Sequence, residues 1–219
     1  MRGYAVKPRP LPNRPRMVRP PLVVIDYGGG NIGSLVSALE RRQTAFEVSA
    51  DADRLASATA AILPGDGAFG ATMQALATRG LDTAIRRHVA AGKVFLGICV
   101  GMQALFESSD EYGGHAGLGL LRGTVRRFTS SPRVPHMGWN DLAIERQHPF
   151  VAGLSGGEYA YFLHSYRVID SEDVVASARY GERFAAIVAR DNLMATQFHP
   201  EKSARTGGVL LDNFLRIAA

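Results

Sequence analysis

The chain has 219 residues, 46% of them hydrophobic and 21% charged, which suits one fairly large domain with a full apolar core. No apolar run is long enough to span a bilayer, and a single cysteine excludes an internal disulfide, so a reducing, cytoplasmic setting is expected. The net charge of +5 invites a nucleic-acid reading, but residues 1–20 hold six basic and no acidic side chains, and the rest carries 19 basic against 20 acidic; neither a nucleic-acid nor a membrane partner is expected.

Six of the eleven prolines fall within the first 21 residues. Residues 1–20 therefore read as a disordered, basic, Pro/Arg-rich extension ahead of a folded domain over 21–219. This extension has no apolar stretch of the kind a secretory signal needs. It reads as a basic arm that touches a partner or a nucleic acid, as an unstructured extension, or as translation from an upstream start with Met17 the true initiator.

From Leu22 the pattern changes. Residues 22–27 (LVVIDY) predict a buried strand, followed by a Gly28-Gly29-Gly30-Asn31 loop and a helix over 32–42. Further strands are predicted over 46–49, 60–63 and 93–98, and helices over 69–77 and 81–91. Near-continuous apolar strands alternating with helices predict an α/β fold, an open and mostly parallel sheet with helices on both faces. The second half adds short strands over 123–128, 141–144, 159–163, 166–169, 174–180, 184–190 and 193–198, several of them antiparallel, and a helix over 207–219.

Cys99 sits between Gly97 and Gly101, where a strand turns sharply into a helix. Small neighbours suit such a corner, which would expose the sulfur at the carboxyl edge of the sheet and at a helix N-terminus whose dipole favours the thiolate. His199 and Glu201, with Pro200 between them, offer a base and a carboxylate to orient it. The other histidines show no equally ordered context. The Pro64-Gly65-Asp66-Gly67 loop follows a strand and reads as a simple turn or as the backbone donors of an oxyanion hole. The glycines at 28–30 lack dinucleotide spacing and a Walker lysine, so nucleotide binding is not expected there. No His/Cys/Asp/Glu set has metal-ligand spacing, and neither a metal nor a cofactor is predicted.

GICVGMQ followed by QFHPEKS resembles the class I (triad) glutamine amidotransferases, whose fold is flavodoxin-like. With IDYGGGNIGS, PGDGAF, GLGLL, VPHMGWN and YFLHSY, the chain from about residue 22 to 203 is similar to the glutaminase subunits of imidazole glycerol phosphate synthase. The resemblance implies Cys99 as nucleophile, His199 as proton shuttle and Glu201 as its orienting partner. It implies Gly65, Asp66, Gly67 and Val100 around the oxyanion, Gln103, Glu111, Ser165 and Tyr166 around L-glutamine, and Trp139 and Asn140 on the face that docks a (β/α)₈-barrel cyclase. Ammonia made here would pass to that cyclase, which forms imidazole glycerol phosphate and the aminoimidazole carboxamide ribonucleotide in histidine biosynthesis. The family usually has an apolar residue at Asp66, whose side chain is expected to point to solvent. A non-catalytic binding or regulatory module that kept the fold, and a triad amidotransferase serving another synthase or a hydrolase of the same superfamily, are the alternatives.

Overall fold

The computed structural model describes residues 22–29, 32–130 and 133–219; the predicted disordered extension 1–20 with Met17, as well as Pro21, Gly30 and Asn31, lies outside the described residues. The first half runs β1 (Leu22–Ile25), α1 (Gly33–Glu40), β2 (Phe46–Ser49), α2 (Ala52–Ser57), β3 (Ala60–Leu63), α3 (Phe69–Thr78), α4 (Leu81–Ala90), β4 (Val94–Ile98) and α5 (Val100–Gln103). The second runs β5 (Ser108–Ser109), β6 (His115–Ala116), β7 (Thr124–Arg127), β8 (His136–Asp141), β9 (Ala143–Ile144) and β10 (Tyr159–His164). It closes with β11 (Tyr166–Val168), β12 (Val174–Tyr180), β13 (Glu182–Arg190), β14 (Leu193–Thr196) and α6 (Ala204–Ile217).

The main sheet has eight strands in the order β2-β1-β3-β4-β14-β13-β12-β9. Its first five strands are mutually parallel, and β13, β12 and β9 extend it with antiparallel pairings. Alternate side chains of one strand serve two cores. Leu22 and Val24 meet Leu35 and Leu39 of α1 and Leu210 and Phe214 of α6 on one face. Val23 and Ile25 meet Leu55 of α2, Phe69 and Leu76 of α3, and Leu81 and Ile85 of α4 on the other. That double covering is why these strands lack a polar alternation.

Several elements depart from the expected pattern: the two-residue strands β5 and β6 were not predicted, and the strand expected over 141–144 is divided between the end of β8 and β9. Helix α2 is too short for hydrophobic periodicity; its signal is the cap, where the Asp51 side chain accepts the Asp53 N–H at 2.8 Å. Strand β8 carries an inverted pattern, with His136 buried and Met137 and Trp139 exposed, so it does not read as a half-buried strand. It pairs antiparallel with β10, placing Trp139 opposite Tyr161 and His136 opposite His164. Helix α6 begins at Ala204, three residues before the predicted start, and runs through Gly207-Gly208. A Cβ at Gly207 would overlap the Pro200 carbonyl oxygen, so this glycine serves a close approach at a cost in helix propensity.

Candidate active site

Cys99 follows β4 directly and adopts φ 55°, ψ −114°, a conformation that costs a non-glycine residue strain. Its neighbours explain how the corner fits. A Cβ at Gly97 would stand 2.7 Å from the Gly101 carbonyl oxygen, and one at Gly101 would overlap the Leu63 carbonyl. A Cβ at Gly65 would come within 2.6 Å of the Gly101 backbone nitrogen, so the loop after β3 lies against this corner as well. The sulfur is less open than expected: Cys99 is only 3% exposed, with Leu163 of β10 and Gln197, just past the end of β14, against its sulfur. Helix α5 is a single turn, so any dipole acting on the thiol is that of one turn.

His199 reaches Cys99 because β14 lies parallel to β4 in the sheet and both strands end at the same edge. The Cys99 N–H continues that pairing onto the Thr196 carbonyl at 2.8 Å. The His199 backbone is held by β10: its N–H donates to the Tyr161 carbonyl, and its own carbonyl accepts from Ser203 Oγ at 2.7 Å. Ser203 Oγ in turn accepts the Tyr161 N–H at 2.9 Å. The imidazole Nδ1 meets Glu201 Oε1 at 2.8 Å, leaving Nε2 for the thiol. Burial alone would lower the His199 pKa, but the Cys99 sulfur and the Glu201 carboxylate beside it raise it to about 10.

Cys99 and His199 open onto one cavity of about 210 Å³, whose wall also includes Asp66, Gly67, Val100, Gln103, Glu111, Ser165 and Tyr166. Asp66 is exposed at its rim. Gly65 is buried behind the wall, and Glu201 lies behind His199. Val100 opens α5, so its N–H has no partner within the helix. Glu111 Oε2 accepts the Phe69 N–H at 2.6 Å at the start of α3. Gln103 Nε2 donates to the Tyr166 carbonyl and to Gln197 Oε1, each at 3.0 Å. Trp139 and Asn140 are outside the cavity; Trp139 is 53% exposed, whereas Asn140 turns inward and donates to the Arg179 carbonyl at 2.9 Å.

Residue patterns missed Gln197, whose amide Nε2 lies 3.9 Å from the Cys99 sulfur, and the histidines at 136 and 164. Contrary to expectation, these histidines have an ordered context: they are buried and lie 3.0 Å apart, Nδ1 to Nε2. Only their cross-strand register reveals it. Among the described residues no group of three or more His, Cys, Asp or Glu side chains is arranged to hold a metal ion. No helix among them is long and apolar enough to cross a membrane.

A buried thiol at a strained corner, beside an imidazole whose far nitrogen is fixed by a carboxylate, is an arrangement suited to acyl transfer. The comparisons agree with that chemistry. Residues 23–218 match the family Glutamine amidotransferase class-I. The chain is 46% identical over 202 residues to the imidazole glycerol phosphate synthase subunit HisH of Syntrophotalea carbinolica, covering 88% of this chain and 98% of the relative. It is 46% identical over 199 residues to HisH of Aquifex aeolicus, covering 90% of this chain and 96% of that one. A solved glutamine amidotransferase shares the fold with a TM-score of 0.72 at 23% identity, over 90% of this chain and 98% of the other. With a match over nearly its whole length, the chain belongs to the class-I glutamine amidotransferases and is an enzyme of the HisH type.

Proposed function

We propose that this protein is the glutaminase subunit of an imidazole glycerol phosphate synthase, its amidotransferase domain spanning 21–219. Cys99 Sγ gives up its proton to His199 and attacks the side-chain carboxamide carbon of L-glutamine, and the oxygen that becomes negative is met by backbone donors of Val100 and of the Gly65–Gly67 loop. His199 passes its proton to the nitrogen, the C–N bond breaks, and ammonia leaves a glutamyl thioester. His199 then takes a proton from water, which attacks the thioester; the C–S bond breaks, glutamate leaves, and His199 returns the proton to Sγ. Glu201 keeps His199 in the tautomer that serves Sγ. Gln103, Glu111, Ser165 and Tyr166 hold the substrate. The single observation that carries this reading is one cavity shared by Cys99 and His199, with Glu201 on the far nitrogen of the histidine.

The ammonia is passed to a (β/α)₈-barrel cyclase, which forms imidazole glycerol phosphate and the aminoimidazole carboxamide ribonucleotide in histidine biosynthesis, in the cytoplasm. Trp139 belongs to the docking face, with Asn140 bracing it from the inner side. Met137, Trp139, Tyr159 and Leu163 stand on the outer face of the β8–β10 pair, an apolar patch that a soluble chain would cover with a partner. Ammonia release from glutamine, measured with and without a cyclase subunit, tests the proposal. Turnover should rise with the cyclase and vanish in Cys99→Ala. Release that survives Cys99→Ala overturns the mechanism, and turnover indifferent to the cyclase overturns the subunit assignment.

A further inference from the structure

The two buried histidines on β8 and β10 belong to a chain of hydrogen bonds whose direction can be read from its ends. His164 Nδ1 lies 2.8 Å from the Tyr166 carbonyl oxygen, which can only accept, so Nδ1 carries the proton and Nε2 is an acceptor. His136 Nδ1, 3.0 Å from that Nε2, is therefore the donor, and its own Nε2 faces the Asn140 amide nitrogen at 3.4 Å. Both rings are neutral in this arrangement, and burial, which disfavours charge at both, agrees with it.

The chain ends where the cavity wall needs support. Ser165 is where the strand leaves its β8 partner, and from Tyr166 it pairs with β7. The Tyr166 carbonyl is gripped by the His164 ring on one side and the Gln103 amide on the other, and the Ser165 carbonyl accepts the Phe128 N–H at 3.1 Å. Gln103 continues through Gln197 to within 3.9 Å of the Cys99 sulfur. We propose that His136 and His164 are positioning residues that hold the Ser165–Tyr166 wall and thereby set the affinity for glutamine, leaving the chemical step to Cys99 and His199. The proposal rests on the glutaminase reading given above.

His136 also stacks between Phe162 and Tyr180, at centroid separations of 4.9 and 4.1 Å, so packing and hydrogen bonding must be separated. His136→Phe keeps the ring and removes the donor; His136→Asn keeps an N–H donor near the Nδ1 position and removes the ring. Steady-state glutaminase kinetics of the full chain with its cyclase should show a glutamine KM raised about tenfold in His136→Phe, with kcat changed less than about twofold. His136→Asn should stay within about threefold of the wild-type KM. A purely structural role gives the opposite order, and that order, or a wild-type KM in His136→Phe, overturns the proposal. If His136→Phe does not fold, His164→Asn, which retains a donor toward Tyr166, should keep a low KM that His164→Gln loses; equal KM values overturn it. A wild-type protein that releases no ammonia overturns the glutaminase reading and this one together, and is seen in the wild-type assay alone.

Discussion

In the proposed reaction His199 has to hold a proton for a leaving amine and then accept one from water, and its surroundings decide when it can do either. With Cys99 and Glu201 raising its pKa to about 10, the imidazole keeps its proton through neutral pH. Deprotonation at higher pH removes the acid, so kcat/KM for glutamine should fall with an apparent pKa near 10. Glu201→Gln removes one of the two groups that raise the pKa. The alkaline limb should then move to lower pH and kcat should drop by about 10²-fold, read from a pH–rate profile. An unmoved limb would show that Glu201 does not tune this histidine. Cys99, His199 and Glu201 were legible as a set because each lies in a short, patterned segment. Gln197 was not, since its place beside the sulfur follows from the pairing of β14 with β4.

At the scale of elements, close backbone approaches govern the architecture around the corner. Gly207 lets α6 pass the Pro200 carbonyl, and Pro200 heads the one-turn 3₁₀ helix Pro200–Lys202 that carries Glu201. Gly207→Ala should destabilise the protein by about 1–3 kcal/mol, measured by urea unfolding, because the added methyl forces that turn and α6 apart. A wild-type midpoint would mean the two segments part freely. Propensity alone places the Gly207-Gly208 pair at a helix boundary, which is why the helix was expected to begin there instead of at Ala204. The strands β2, β3 and β12 were predicted with the bounds they have, since their ends coincide with turns in the chain. Strand β8 was not, because its outward face carries Met137 and Trp139 beside Asp141 and its inward face holds histidine, glycine and asparagine.

Across the whole molecule the buried neutral rings of His136 and His164 contribute to the loss of stability in acid. Burial is the main cause that lowers the His164 pKa from 6.5 to about 3. The unfolded chain therefore takes up this proton near pH 6.5 and the folded one only near 3, so the contribution of His164 to stability is full above 6.5 and declines as the pH falls between those values. One such group contributes a slope of about 1.4 kcal/mol per pH unit. Urea midpoints between pH 7 and pH 5 should show that decline, and His164→Asn should flatten it by about this amount; an unchanged slope would contradict the assignment of His164 as a buried neutral ring. The amino-acid sequence by itself determined the α/β class, the four parallel strands of the first half with the longer helices between them, and the identity of the candidate nucleophile, base and carboxylate. These depend on local periodicity and on residue types a few positions apart. The tertiary structure decided which side chains surround them: the His136–His164 pair, the grip on Tyr166 and the burial of Cys99. Those arise where strands distant in the chain are paired in register, and the register is an outcome of packing two cores against one sheet, which short segments do not encode on their own.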